Sequence, residues 1–248
     1  MGELSGKVAV VTGASKGIGA AIARHFAEAG AAVAVNYASD KAGADKVVEG
    51  IVRKGGKAIA IQGNVGKGAD VKRLFAETKA KLGAPSVLVN NAGVFTFQPL
   101  EDVTEEEFHR QFDINVLGAL LAIREAARVF DGQGGSVINL STIASVNPVP
   151  NSVIYSCSKA AVDTMTRALA LELAPKKIRV NAIAPGATET EGTKTIGLTM
   201  ETAKAIGMVM PMGRMGQPDD IARVALFLAS DQSAWLTGER ITASGGQR

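Results

Sequence analysis

Thr12-Gly13-Ala14-Ser15-Lys16-Gly17-Ile18-Gly19 follows the valine-rich run Lys7–Thr12 and opens directly into the small-residue segment Ala20-Ala21-Ile22-Ala23. A glycine at 13 permits a tight turn, one at 17 lets backbone approach a phosphate, and one at 19 lets helix touch strand. The helix that begins here offers unpaired N–H groups and a partial positive charge, which suits an anion. The spacing is G-x-x-x-G-x-G rather than G-x-G-x-x-G. A glycine pattern alone also describes a plain strand–helix turn. Its place between an apolar strand and a helix near the N-terminus makes it a candidate dinucleotide site.

Working outward, short apolar runs alternate with longer segments of helical period. The strands expected are Lys7–Thr12, Ala32–Asn36, Lys57–Gln62, Val87–Asn90, Gly135–Leu140, Arg179–Ala184 and Glu239–Thr242. Helices are expected near Gly17–Ala29, Lys41–Lys54, Lys67–Leu82, Glu105–Phe130, Ser152–Leu173 and Asp219–Leu228. Strands apolar on both faces and separated by helices indicate a mostly parallel, seven-stranded, doubly wound α/β sheet of Rossmann type, with helices on both faces. No linker, repeat or low-complexity tract divides the chain, so residues 1–248 are expected to form one domain. Residues 187–216, rich in Thr, Gly and Met, break the alternation; they read either as a substrate lid or as a surface excursion.

Composition excludes several classes. Lys+Arg is 27 against Asp+Glu 24, too slim a surplus, and too evenly spread, to mark a nucleic-acid binder. The single cysteine, Cys157, forms no internal disulfide, and no His/Cys cluster suggests a metal. The opening MGELSGKVAVVTG places an acid before any apolar run, unlike a signal peptide, and no stretch reads as a membrane helix. A cytoplasmic protein is expected.

The second strand ends Val35-Asn36-Tyr37-Ala38-Ser39, with no acid before Asp40 to accept from a ribose 2′-hydroxyl, and Lys16 stands ready for an extra phosphate. NADP(H) is therefore the expected cofactor, with NAD(H) as a possible second. Tyr155-Ser156-Cys157-Ser158-Lys159 opens a long helix, and residues four apart share a face. A nearby ammonium and an oxidised nicotinamide both favour phenolate and would bring the tyrosine pKa, about 10 when free, towards a useful range for proton transfer. His25 and His109 read as surface or packing residues. Cys157 turns away from Tyr155, towards packing or an interface, and Trp235 reads as core or interface. Glu105-Glu106-Glu107 after Thr104 reads as a capped helix start.

Taken together and in order, Thr12–Gly19, Asn90-Asn91-Ala92-Gly93, Asn115, Ser141-Thr142, Tyr155/Lys159 and Pro185-Gly186 resemble the short-chain dehydrogenase/reductase family along essentially the whole chain. Within it the chain looks most like glucose 1-dehydrogenase-like members, and next like 3-oxoacyl-carrier-protein reductases. The resemblance implies an oxidoreductase of a carbonyl or secondary alcohol, such as a sugar, ketone or oxoacyl compound, and a homotetramer. It implies Tyr155 as proton donor or acceptor, Lys159 as holder of the nicotinamide ribose, and Asn115 as anchor of a water leading to Lys159. Thr142 stands where the family usually has serine, thirteen residues before the tyrosine, with Ser141 facing the other way. The cofactor is expected against Gly13, Ser15, Lys16, Gly17, Ile18, Gly19, Tyr37, Ala38, Ser39, Asn64, Val65, Asn91, Ala92, Gly93, Tyr155, Lys159, Pro185, Gly186, Thr188 and Thr190. Asn64 stands where the family often has aspartate. A non-catalytic nucleotide-binding regulator is the rival on the same fold.

Overall fold

In the computed structural model, residues 2–130, 132, 134–205 and 208–247 are described. Seven strands run β1 Val8–Val11, β2 Ala32–Tyr37, β3 Lys57–Gln62, β4 Val87–Asn90, β5 Gly135–Leu140, β6 Ile178–Pro185 and β7 Arg240–Ala243. They form one sheet in the order β3-β2-β1-β4-β5-β6-β7, and every pair is parallel. The order reverses beside β1, so the crevice between the carboxyl ends of β1 and β4 is where this topology places a ligand.

Successive residues of a strand face opposite ways, and this sheet has an apolar core on each side. Ala9, Val11, Val33, Val35, Ile138 and Ile183 meet α1 (Gly17–Glu28), α2 (Lys41–Arg53) and α9 (Pro218–Ala229) on one face. Val10, Ala34, Leu88, Val137 and Val180 meet α3 (Gly68–Leu82), α5 (Gly118–Val129) and α6 (Val153–Leu173) on the other. Fully burying one such large side chain, Phe26 or Leu88 for example, contributes about 1.5–3 kcal/mol. α4 (Glu105–Phe112) packs beside α6, and two short helices, α7 (Glu191–Thr195) and α8 (Met200–Ala205), lie in the segment after β6.

The sequence pattern predicts one helix over Glu105–Phe130, and the segment is helical throughout but changes geometry midway. A π-helical turn, Asp113–Leu117, separates α4 from α5. The wider turn brings Asn115 inward, 2% exposed, where its amide bonds the backbone of Val94. Helical period in the sequence passes through such a bulge without a mark, and such bulges recur at functional sites. Gly118 then presses α5 on Val65; a Cβ there would stand 2.7 Å from the valine side chain. Of the two readings of Trp235, the core is excluded, since it is 99% exposed. The segment 187–216, of which residues 206 and 207 lie outside the described residues, is pinned at its base where Thr188 pairs with Gly216. No helix among the described residues is long and apolar enough to cross a membrane.

Candidate active site

The glycine turn has the shape its residues suggest. Gly13 and Gly17 have φ of 60° and 56°, a region that side chains other than glycine rarely adopt. A Cβ on Gly19 would stand 2.4 Å from Asn91 Nδ2 and 2.7 Å from the Gly13 carbonyl, so α1 meets the turn only because that position has none. Lys16 precedes α1 without a side-chain cap, leaving the first-turn N–H groups to a ligand. This cradle fits a dinucleotide pyrophosphate.

The neighbouring strand ends hold the turn. Asn36, buried at the end of β2, accepts from Gly13 N at 3.2 Å and donates to Gly63 O at 3.0 Å. Tyr37 turns its ring into the core, whereas Ala38 and Ser39 are exposed beside the turn. Asp40 caps α2 by accepting from Gly43 N at 2.9 Å, and this bond first, with Ser15 and Lys16 adding to it, holds its carboxyl below the usual range. Asn64 Oδ1 accepts from Gly66 N at 3.0 Å, which shapes the loop before α3. After β4, Asn91 Nδ2 donates to the carbonyls of Thr12 and Gly13 at 2.9 and 2.8 Å, and Thr12 Oγ1 accepts from the backbone of Asn91 and Ala92. These bonds tie the segment after β4 to the glycine turn.

Deeper in the crevice, α6 carries Tyr155 and Lys159 one turn apart. Lys159 Nζ lies 6.0 Å from the Tyr155 ring centre and donates to the Leu140 carbonyl at 2.7 Å. Asn115 faces it across Gly93, where a Cβ would meet Asn115 Oδ1 at 3.3 Å and Lys159 Nζ at 3.4 Å. Both N–H donors of the Asn115 amide are used, Nδ2 donating to Val94 O at 2.9 Å and Ser158 Oγ at 3.0 Å, while Oδ1 accepts from Val94 N at 2.8 Å. Burial lowers the Lys159 pKa to about 8, with Asp163 opposing. Burial pushes the Tyr155 phenol up, and the facing Thr142 hydroxyl pulls it back in part. Among the protein's own groups, burial is thus the larger influence on the phenol.

Thr142 and Ser141 separate as successive strand residues should. Thr142 faces Tyr155, while Ser141 is 5% exposed and its Oγ has no hydrogen-bond partner among the described residues. On the far side, Thr188 Oγ1 donates to Gly186 O at 3.0 Å, and Thr190 caps α7 with its methyl near Gly17. Pro185-Gly186 is held from an unexpected quarter: Gln247 Oε1 accepts from Ala187 N at 2.7 Å. Two further features add partners that the sequence does not show. Phe95 and Phe97 surround Tyr155, with ring centres 5.7 and 6.1 Å from it. His25 finds Asp219 at 2.9 Å on the surface between α1 and α9, away from this crevice. Cys157 is exposed, and no three His, Cys, Asp or Glu residues among those described gather as for a metal.

The arrangement is matched by known proteins. The family model described as Enoyl-(Acyl carrier protein) reductase matches residues 13–248. An uncharacterized oxidoreductase of Methylorubrum extorquens is 54% identical, with 100% of each chain covered. Versicolorin reductase 1 of Aspergillus parasiticus is 43% identical over 98% of this chain and 97% of that one. Among solved structures, an angucycline C-6 ketoreductase with bound NADP superposes with a TM-score of 0.92 at 36% identity, covering 99% of this chain and 96% of that one. A short-chain dehydrogenase/reductase of Serratia marcescens gives 0.91 at 34% identity, covering 98% of both. The chain belongs to the short-chain dehydrogenase/reductase family. It is an oxidoreductase of the carbonyl and alcohol groups on which that family acts.

Proposed function

We propose that the chain reduces the carbonyl of a ring-bearing ketone with NADPH, and runs the reverse oxidation when product and NADP accumulate. The observation that carries this reading is the Thr142 hydroxyl facing the Tyr155 phenol, with Lys159 one turn along the same helix. Tyr155, kept protonated at neutral pH by burial, donates its proton to the carbonyl oxygen in reduction and takes it back in oxidation. Thr142 orients that oxygen. Lys159 holds the ribose and, with Asn115 behind it, passes protons to Tyr155. Gly13–Gly19 and the α1 N-terminus hold the pyrophosphate, Asn64 and Val65 flank the adenine, and Pro185, Gly186, Thr188 and Thr190 hold the carboxamide. When bound, the nicotinamide supplies the hydride.

The aromatic cluster of Phe95, Phe97 and Tyr155 favours a flat substrate, because rings stack well against offset or tilted rings. Relatives named for versicolorin and tetrahydroxynaphthalene reduction support this. An oxoacyl thioester is the second reading; the matching family's description shares with it the acyl-carrier-bound substrate, though as an enoyl and not an oxoacyl group. A homotetramer is the assembly we expect. Phe108, Leu117 and Leu120, apolar yet 40–43% exposed along α4, the π-helical turn and α5, supply a surface for it.

Two expected results test the details. Thr142→Val should lose about tenfold or more in kcat with cofactor still bound, and Thr142→Ser should remain active. Ser141→Ala should be mild, since removing a buried hydroxyl that lacks a partner leaves nothing unsatisfied. A severe Ser141→Ala defect beside a normal Thr142→Val in steady-state assays would reverse the assignment. For the cofactor, Lys16 and the exposed, uncharged Ala38-Ser39 support NADP(H), with NAD(H) as a weaker second. Ala38→Asp should move preference towards NAD(H), because its carboxylate repels a 2′-phosphate and accepts from a 2′-hydroxyl. A wild type with the higher kcat/KM for NADH would contradict this.

A further inference from the structure

Asp163 lies on α6, one turn beyond Lys159 and two beyond Tyr155. A carboxylate is rarely buried unless charge-paired and hydrogen-bonded, and this side chain is only 6% exposed. Its Oδ2 accepts from Arg240 Nε at 2.9 Å and from Ser145 Oγ at 2.6 Å. Arg240, the first residue of β7, also reaches the turn after β5. Its Nη2 donates to the Thr142 carbonyl at 2.8 Å and to Ser145 Oγ at 3.1 Å. Ser145 has one hydroxyl proton and two acceptors in range, Asp163 and the Thr142 carbonyl at 2.9 Å. The carboxylate is the stronger acceptor. The guanidinium therefore carries the tie to Thr142.

That tie acts on a residue with two faces. The Thr142 carbonyl is clamped by Arg240, and the Thr142 hydroxyl faces Tyr155 while accepting from Ala144 N at 3.3 Å. A β-branched side chain is stiff at χ1, so fixing the backbone of Thr142 fixes where its hydroxyl points. Arginine is the residue for this task, because its planar fork serves a carboxylate and a carbonyl at once. We propose that Asp163 and Arg240 are positioning residues for the reaction. Through the Thr142 carbonyl they hold the Thr142 hydroxyl in register with the Tyr155 phenol. This rests on the reading of Thr142 as the hydroxyl that orients substrate.

A double-mutant cycle tests it. Arg240→Met, assayed with a ketone at saturating NADPH, should lower kcat by about tenfold or more while the Kd for NADPH stays within about threefold. In the Thr142→Val background the same substitution should cost less than about threefold, because the hydroxyl it positions is gone. Equal losses in both backgrounds, or full kcat in Arg240→Met, overturn the proposal. Should Arg240→Met fail to fold, Arg240→Lys takes its place. Lysine keeps the charge beside Asp163 but loses the fork that reaches Thr142, and the same cycle and criteria apply. A fully active Thr142→Val would sink the reading of Thr142 itself. An impaired Thr142→Val with equal Arg240 losses would sink only the positioning role.

Discussion

Tyr155→Phe is expected to keep the fold and the cofactor while cutting carbonyl turnover by about 10²–10⁴-fold, the range for loss of a general acid or base. The phenylalanine ring fills the same space beside Phe95 and Phe97, 5.7 and 6.1 Å away, so the walls of the crevice should stay in place. What disappears is the one phenol facing Thr142. The pH dependence has a definite sign. Burial raises the Tyr155 pKa, so the phenol is protonated at neutral pH and suited to reduction. Alcohol oxidation needs the phenolate, and its rate should rise with pH until Tyr155 ionises. The apparent pKa belongs to the coupled Tyr–Lys–nicotinamide system. Steady-state rates across pH for wild type and variant, beside a titration of NADPH binding, check both points. A variant that binds NADPH and still turns over near the wild-type rate would mean another group moves the proton.

The second large effect is expected at Gly19. An added Cβ would collide with Asn91 Nδ2 at 2.4 Å and the Gly13 carbonyl at 2.7 Å, with Ala14 Cα at 3.0 Å closing the third side. Relief requires moving either backbone or the amide that bonds Thr12 and Gly13. Overpacking of this kind costs about 1–3 kcal/mol, and here the displaced atoms are the cofactor cradle itself. Gly19→Ala should lower Tm and weaken NADPH binding by at least about tenfold, roughly 1.4 kcal/mol. Gly50→Ala is the control. It lies within α2 with nothing inside 4 Å of its Cβ, and alanine should stabilise that helix slightly. Equal behaviour of the two variants in thermal melts and fluorescence titration would contradict the cradle.

Much of this was legible in the chain. The glycine turn, the alternation of valine-rich strands with helices, and the Tyr155–Lys159 spacing are local patterns, and all seven strands fall where those patterns put them. Features that need the third dimension were not legible. The π-helical turn at Asp113–Leu117 interrupts no hydrophobic period, and the bonds it allows run from Asn115 to the backbone of Val94. Arg240 meets Asp163 across 77 residues, and Gln247 meets Ala187 across 60. No spacing rule links such pairs. The expectation that residues near 94–97 line the substrate pocket was legible, but the clustering of Phe95 and Phe97 around Tyr155 was not. The burial that raises the Tyr155 pKa is likewise a property of the folded crevice and not of any local pattern.

The most direct measurement is the loss of NADPH absorbance when the purified protein meets a panel of planar polycyclic ketones, simple aliphatic ketones, aldose sugars and a 3-oxoacyl thioester. Oxidation of NADPH with matched formation of alcohol is expected, with the highest kcat/KM among the planar ketones. Tight NADPH binding with no turnover across the whole panel would contradict the carbonyl-reductase reading and favour a nucleotide-binding regulator built on the same fold.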